Sequence, residues 1–176
     1  MKKYLLALMA LIGLSNLAWA TDDWPTQKLI RVIAVFPPGG SVDQVARILA
    51  PALQTQLKQS VIVENIGGAS GMIGTAALAK AAPDGYTFAV VFDTHGVNPS
   101  LKDKMPYDTK KDLVTVSMIG TAPMVLSASK ASGITSFKQL VDQSKAKKPN
   151  SYGSIGTGSL GHLAMAMLAK EAKFEW

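Results

Sequence analysis

Three times along this chain a strand-like run ends in a loop of glycine, serine, proline or alanine and a helix begins, at residues 36–41, 67–71 and 154–159. Strands alternating with helices imply an α/β fold, a parallel sheet with helices on both faces. In open α/β sheets ligands bind beyond the carboxyl ends of the strands. Helix N-termini there offer unpaired backbone N–H groups and the positive end of a dipole. Such a site suits a carboxylate or phosphate and needs no charged side chain. Each loop taken singly also reads as an ordinary βα turn; the set carries the argument, because loops of both halves would face one crevice.

The pattern can be followed residue by residue. Leu29 to Val35 is an apolar, β-branched run that reads as a buried strand and stops at Phe36-Pro37-Pro38-Gly39-Gly40. Ser41 and Gln44 fit a capping box, and Asp43 favours the positive end of the helix that follows. That helix carries its apolar stripe at Val45, Ile48, Leu49, Ala52, Leu53 and Leu57, with Pro51 expected to kink it. Val61–Val63 is the second strand, Gly67–Gly71 a flexible loop, Met72–Ala81 a helix, Pro83-Asp84-Gly85 a turn, and Thr87–Phe92 a third strand ending in a polar loop at Asp93-Thr94-His95. Further on, 114–119 and 124–127 read as strands, separated by a crossing at Gly120–Pro123. Ser136 caps a helix to Lys145, 147–150 is a turn and 151–154 a short strand. A last helix, rich in Ala and Met, runs to about Ala172. Met165 and Met167 are expected in its core-facing side.

The first twenty residues are read apart from the fold. Met1-Lys2-Lys3, the apolar Tyr4–Leu14 and the small-x-small Ala18-Trp19-Ala20 are the three parts of a secretory signal peptide. Its apolar run is too short to span a bilayer, and cleavage leaves Thr21 first. Losing Lys2 and Lys3 takes the formal charge from +6 to +4. The remaining basic residues are scattered, which speaks for a solvated surface and against nucleic acid. There is no cysteine, hence no disulfide or thiolate metal site.

Catalytic and cofactor patterns are weak. The two histidines, His95 and His162, are far apart without metal-ligand spacing. His162 falls in the first turn of the last helix, where a neutral imidazole could donate. No Gly-x-Ser-x-Gly elbow occurs. Gly156-x-Gly158-x-x-Gly161 fits a dinucleotide fingerprint, yet the strand before it is polar and Glu175 is the only acidic residue near the expected position. No catalytic residue, metal or cofactor is therefore assigned.

A family resemblance covers the rest of the chain. It lies in Trp24-Pro25, Lys28–Arg31, Phe36–Asp43 with Ala46-Arg47, Val63–Asn65, Gly68–Gly71 with Ile73-Gly74, and Ala82–Thr87. It continues in Asn98-Pro99 with Leu101, Pro106–Asp108, Lys111–Leu113, Tyr152–Ser154, Gly156–Ser159 and His162–Ala164. These resemble the Bug family, the TctC-like periplasmic receptors of tripartite tricarboxylate transporters. The resemblance implies a type II periplasmic-binding-protein fold, two α/β lobes closing on a ligand like a Venus flytrap. It also implies a small organic carboxylate held by backbone amides, hydroxyls and waters, then delivered to integral membrane permease subunits. Phe36, Pro38, Gly39, Gly40 and Ser41 would form one wall, joined by Ala69, Ser70, Gly71, Thr94 and His95, with Thr157, Gly158 and Ser159 from the second lobe.

The sequence departs from the family pattern in three places. Ile66-Gly67 stands where a proline commonly precedes the second glycine-rich loop, and His95-Gly96 bears on ligand choice. Family members are also far longer. The expected organisation is a signal peptide (1–20), a nearly complete first lobe (21–120) and a partial second lobe (121–176), with weak or no binding by this chain alone. At full length a monomer is expected. The alternatives are an exported α/β enzyme, whose nucleophile–base pair could lie beyond this chain, and a signalling receptor.

Overall fold

The structure, a computed structural model, describes residues 24–146 and 150–176. The expected signal peptide and most of the expected turn at 147–150 lie outside the described residues. The elements are β1 (Ile30–Ala34), α1 (Ser41–Leu57), β2 (Val61–Asn65), a 3-10 turn (Ala69–Gly71), α2 (Met72–Ala79), β3 (Thr87–Val90), α3 (Asp93–Leu101), a second 3-10 turn (Lys130–Ser132), α4 (Phe137–Lys145) and α5 (Leu160–Ala172).

The three strands form a parallel sheet in the order β2-β1-β3. Ile30 pairs with Val61 and Arg31 with Thr87. Stepping first to one side of β1 and then to the other, with right-handed crossovers, puts α1 and α2 on opposite faces. The packing agrees. Val42, Ala46 and Ala50 of α1 share a core with Ile30, Val32 and Ala34, whereas Gly71 and Gly74 lie against Val35. Side chains of β1 alternate between these two layers, so both faces bury apolar atoms. Ile30, Ile33 and Val35 are each only 1% exposed; burial of such a side chain contributes roughly 1.5–3 kcal/mol.

Several sequence expectations change in the structure. Gly40, not Ser41, takes the cap position of α1, and no side chain caps it. The chain has already turned at Gly39, with φ +84, so Ser41 is helical and its box with Gln44 does not form. Gln44 Nε2 instead donates to the Gly39 carbonyl. The helix runs on through Pro51. Its buried face is Val42, Ala46 and Ala50, flanked by Val45, Leu53 and Leu57, while Ile48 is 74% exposed. Small residues on that face let the helix lie close to the sheet. The segment Asp93-Thr94-His95, expected as a loop, opens α3.

The expected strands at 114–119, 124–127 and 151–154 are not strands. Their composition favours extended backbone, but a strand exists only as a ladder, and among the described residues none pairs with them. Val114, Val116 and Met118 stand largely exposed. Met167 is exposed as well, because it lies on the outward side of α5. The serine cap expected at Ser136 forms, accepting from the Gln139 amide, and Ser159, which the sequence placed only in the loop before the last helix, caps α5 by accepting from the His162 amide.

A cleft where three loops meet

The first loop follows β1. Pro37 and Pro38 end the ladder, and the chain swings through Gly39 into α1. A buried carboxylate fixes this turn. Asp43 Oδ2 accepts from the Gly39 amide at 2.9 Å, and Oδ1 accepts from Asn65 Nδ2 at 2.8 Å and Arg47 Nε at 2.9 Å. Asn65 Nδ2 also reaches the Phe36 carbonyl, and Arg47 donates to Asn65 Oδ1. The Gly39 amide first, then Asn65 and Arg47, hold the Asp43 carboxyl below the usual carboxylate range. Thus Asp43 serves the loop and not a ligand. Gln44 is the first residue whose amide bonds back, to Gly40. The amides of Ser41, Val42 and Asp43 precede the helical ladder and face its positive end.

The second loop is unusual in its backbone. Gly68, Ala69, Ser70 and Gly71 all have positive φ, at 125°, 48°, 58° and 85°. For Ala69 and Ser70 this costs of order 1–3 kcal/mol each. A Cβ at Gly68 would come within 2.7 Å of Ile73 Cδ1, and one at Gly71 within 3.1 Å of Val35 Cγ2. Hydrogen bonds hold the turn: Asn98 Nδ2 donates to the Ser70 carbonyl at 3.0 Å, and Thr75 Oγ1 to the Gly71 carbonyl at 2.9 Å.

The third loop precedes α5 and meets the other two. Ser70 Oγ donates to the Thr157 carbonyl at 3.5 Å, and the Leu160 amide donates to Asp93 Oδ2 at 2.9 Å. Gly158 lies so close to Leu101 that an added Cβ would stand 2.8 Å from its Cδ1. Ser159 is buried and its hydroxyl caps α5. His162, expected as a donor, accepts through Nδ1 from the Gly158 amide at 3.1 Å. In the neutral ring this leaves the proton on Nε2.

Between the first and third loops lies a cleft of about 320 Å³, lined by Phe36, Pro37, Pro38, Gly40, Ser41, Val42, Phe92 and Ile155. Of the residues expected at the site, Phe36, Pro38, Gly40 and Ser41 line this cleft directly. Gly39, Ala69, Ser70, Gly71, Thr157, Gly158 and Ser159 belong to the three loops but do not line the cleft. Thr94 is buried within α3. His95 turns toward Tyr107, with ring centroids 6.4 Å apart and planes 14° from parallel. Burial lowers its pKa, and its Nδ1 is buried without a partner. A second hollow, of about 300 Å³, is lined by Arg47, Ala50, Pro51, Gln54, Val61 and Val63, along the middle of α1 and the edge strand β2.

Sequence reasoning missed Phe92 and Ile155, the apolar walls, and Asn65, Asp93 and Asn98, the polar ties. Phe92 is the cap residue of α3, two positions past β3, and Ile155 is the one large apolar residue inside the third loop; a rule marking apolar residues at strand-to-helix loops would have found both. The ties of Asn65 and Asn98 span 22 and 28 residues and leave no local trace. The arrangement can hold an anion at the end of α1 beside an aliphatic body between Phe36, Phe92 and Ile155. No charged side chain lines it, and among the described residues no cluster of His, Asp or Glu could hold a metal.

Residues 45–175 match the tripartite tricarboxylate transporter family receptor. The chain is 41% identical over 147 residues to protein BugT of Bordetella pertussis, covering 82% of this chain and 45% of that one. Among solved structures it is similar to R. palustris Rpa4515 with adipate, at a TM-score of 0.79 and 31% identity over 87% of this chain and 52% of that chain. The periplasmic binding protein BugD gives a TM-score of 0.66 and 25% identity, over 85% and 50%. The chain spans about half the length of the curated relatives it matches.

Proposed function

Since the chain belongs to the tripartite tricarboxylate transporter receptor family, whose members are binding receptors and not enzymes, we propose that it captures a small organic carboxylate in the periplasm. Export follows from the signal peptide at 1–20, cleaved before Thr21. The captured acid is then handed to integral membrane permease subunits. We assign 21–120 to the first lobe of a Venus flytrap and 121–176 to part of the second, and place Phe36, Pro38, Gly39, Gly40, Ser41, Ala69, Ser70, Gly71, Thr94, His95, Thr157, Gly158 and Ser159 around the ligand.

One observation carries this reading. The cleft puts the uncapped N-terminus of α1 beside apolar walls, with no charged side chain among them. A helix end of this kind attracts a carboxylate through its amides and dipole, and Phe36, Phe92 and Ile155 accept an aliphatic chain. The adipate held by the R. palustris neighbour has both features. His95 joins the site residues from α3, its ring stacked against Tyr107.

The test is a titration of the purified chain with adipate, malate, citrate and hexanoate, followed by calorimetry and by amide NMR shifts at Ser41 and Val42. This chain holds only part of a two-lobed cleft, so we expect saturable binding in the millimolar range, roughly −4 kcal/mol. No response to any of the four acids would refute the assignment. Sub-micromolar binding would refute the claim that the chain alone binds weakly.

A further inference from the structure

The N-termini of the two helices whose preceding loops line the cleft differ. At α1 the amides of Ser41, Val42 and Asp43 have no capping side chain. At α5 the chain supplies its own partners. The Ser159 hydroxyl takes the His162 amide, His162 Nδ1 takes the Gly158 amide, and the Asp93 carboxylate takes the Leu160 amide at 2.9 Å. The other Asp93 oxygen accepts from the Thr94 amide at 2.8 Å. Asp93 therefore sits at the positive ends of two helices, its own α3 and α5, 67 residues away in sequence. It directly follows Phe92, which lines the cleft.

In a receptor of this kind the helix N-terminal amides receive the ligand's carboxylate, and at α5 the Asp93 carboxylate already occupies the Leu160 amide. We infer that Asp93 is an internal competitor for the ligand at α5, and so a specificity-determining residue that weakens selection for a second carboxylate. This rests on the receptor reading above and deepens it. An acid with one carboxylate docks at α1 and leaves Asp93 in place. A dicarboxylate long enough to span the cleft must displace Asp93 from Leu160 or lie against its negative charge. Like charges brought together in a site strongly disfavour binding. Removing the charge at residue 93 therefore helps the second carboxylate and leaves the first nearly untouched.

The experiment compares adipate with its monomethyl ester, which has the same length and one charge fewer. The proteins are the purified chain, Asp93→Asn, and Asp93→Ser, which keeps an acceptor for the Leu160 amide without the charge. Calorimetry gives the affinity ratio, and amide shifts locate the ligand. In either variant we expect the adipate-to-ester ratio to rise about tenfold, with adipate newly shifting the Leu160 amide. A ratio unchanged within about twofold in both variants, while Ser41 and Val42 still respond, would overturn the inference and leave the receptor reading standing. No response to either ligand in any of the three proteins would overturn both.

Discussion

Two glycines inside helices should respond oppositely to alanine. In an exposed helix, Gly→Ala stabilises by roughly 1 kcal/mol. Gly96 of α3 meets this condition, since a Cβ there has nothing within 4 Å. Gly74 of α2 does not. Its added Cβ would overlap the Ile66 carbonyl oxygen and stand 3.0 Å from Val35 Cγ1 and 3.1 Å from Val35 Cα. Two of these neighbours are backbone atoms of the sheet layer and cannot rotate away, so α2 must lift. Overpacking of this kind costs about 1–3 kcal/mol, and the carbonyl overlap argues for the upper end. Set against the propensity gain, Gly74→Ala should lose about 2 kcal/mol. At roughly 2–4 °C per kcal/mol for a chain of this size, the melting temperature should fall by about 4–8 °C and rise slightly for Gly96→Ala. Urea and thermal unfolding followed by circular dichroism at matched protein concentration would measure both. A Gly74→Ala protein as stable as the parent, beside a normal Gly96→Ala, would show that α2 does not lie at backbone contact distance from β1.

Three further outcomes are expected. Ser159→Ala should destabilise by about 1 kcal/mol through loss of the cap on α5, with faster hydrogen exchange at the His162 amide than in the parent. Asp43 has a folded pKa below its ordinary 3.8, so its stabilisation is present above that value and lost as pH falls through the folded one. Asp43→Asn should thus lower the urea midpoint at pH 7, with the difference shrinking below pH 3.8; a pH-independent difference would refute the charge's role. For His95 the folded pKa lies below its ordinary 6.5, so the unfolded chain takes up the proton first. Stability should therefore decline as pH falls through 6.5 toward the folded value, and His95→Gln should flatten that limb in urea melts at several pH values.

The fold was legible where a local signal existed. Alternation of Leu29–Val35 with the helix after Gly40 predicted β1 and α1, and Ser136 marked the start of α4. The same rule failed at Ser41, because the turn at Gly39 brings that residue into the helix one position early. Segments 114–119 and 124–127 have strand composition, yet ladder formation depends on a neighbour that their own residues cannot specify. Within the site, the proline and glycine loops announced themselves. The ties that join them did not: Asp93 to Leu160 and Asn98 to Ser70 are tertiary contacts, invisible to any window of adjacent residues.

The left-handed run Gly68–Gly71 has an evolutionary consequence. Four successive residues in that region admit few replacements: glycine throughout, asparagine or aspartate at 69 and 70, and no β-branched residue. The loop can therefore change little among descendants of this sequence. Phe36, Phe92 and Ile155 carry no such backbone demand, as none of them has a positive φ, and they can drift freely in size. New ligand preferences in this lineage should thus arise by exchange of wall side chains, while the left-handed loop stays as it is.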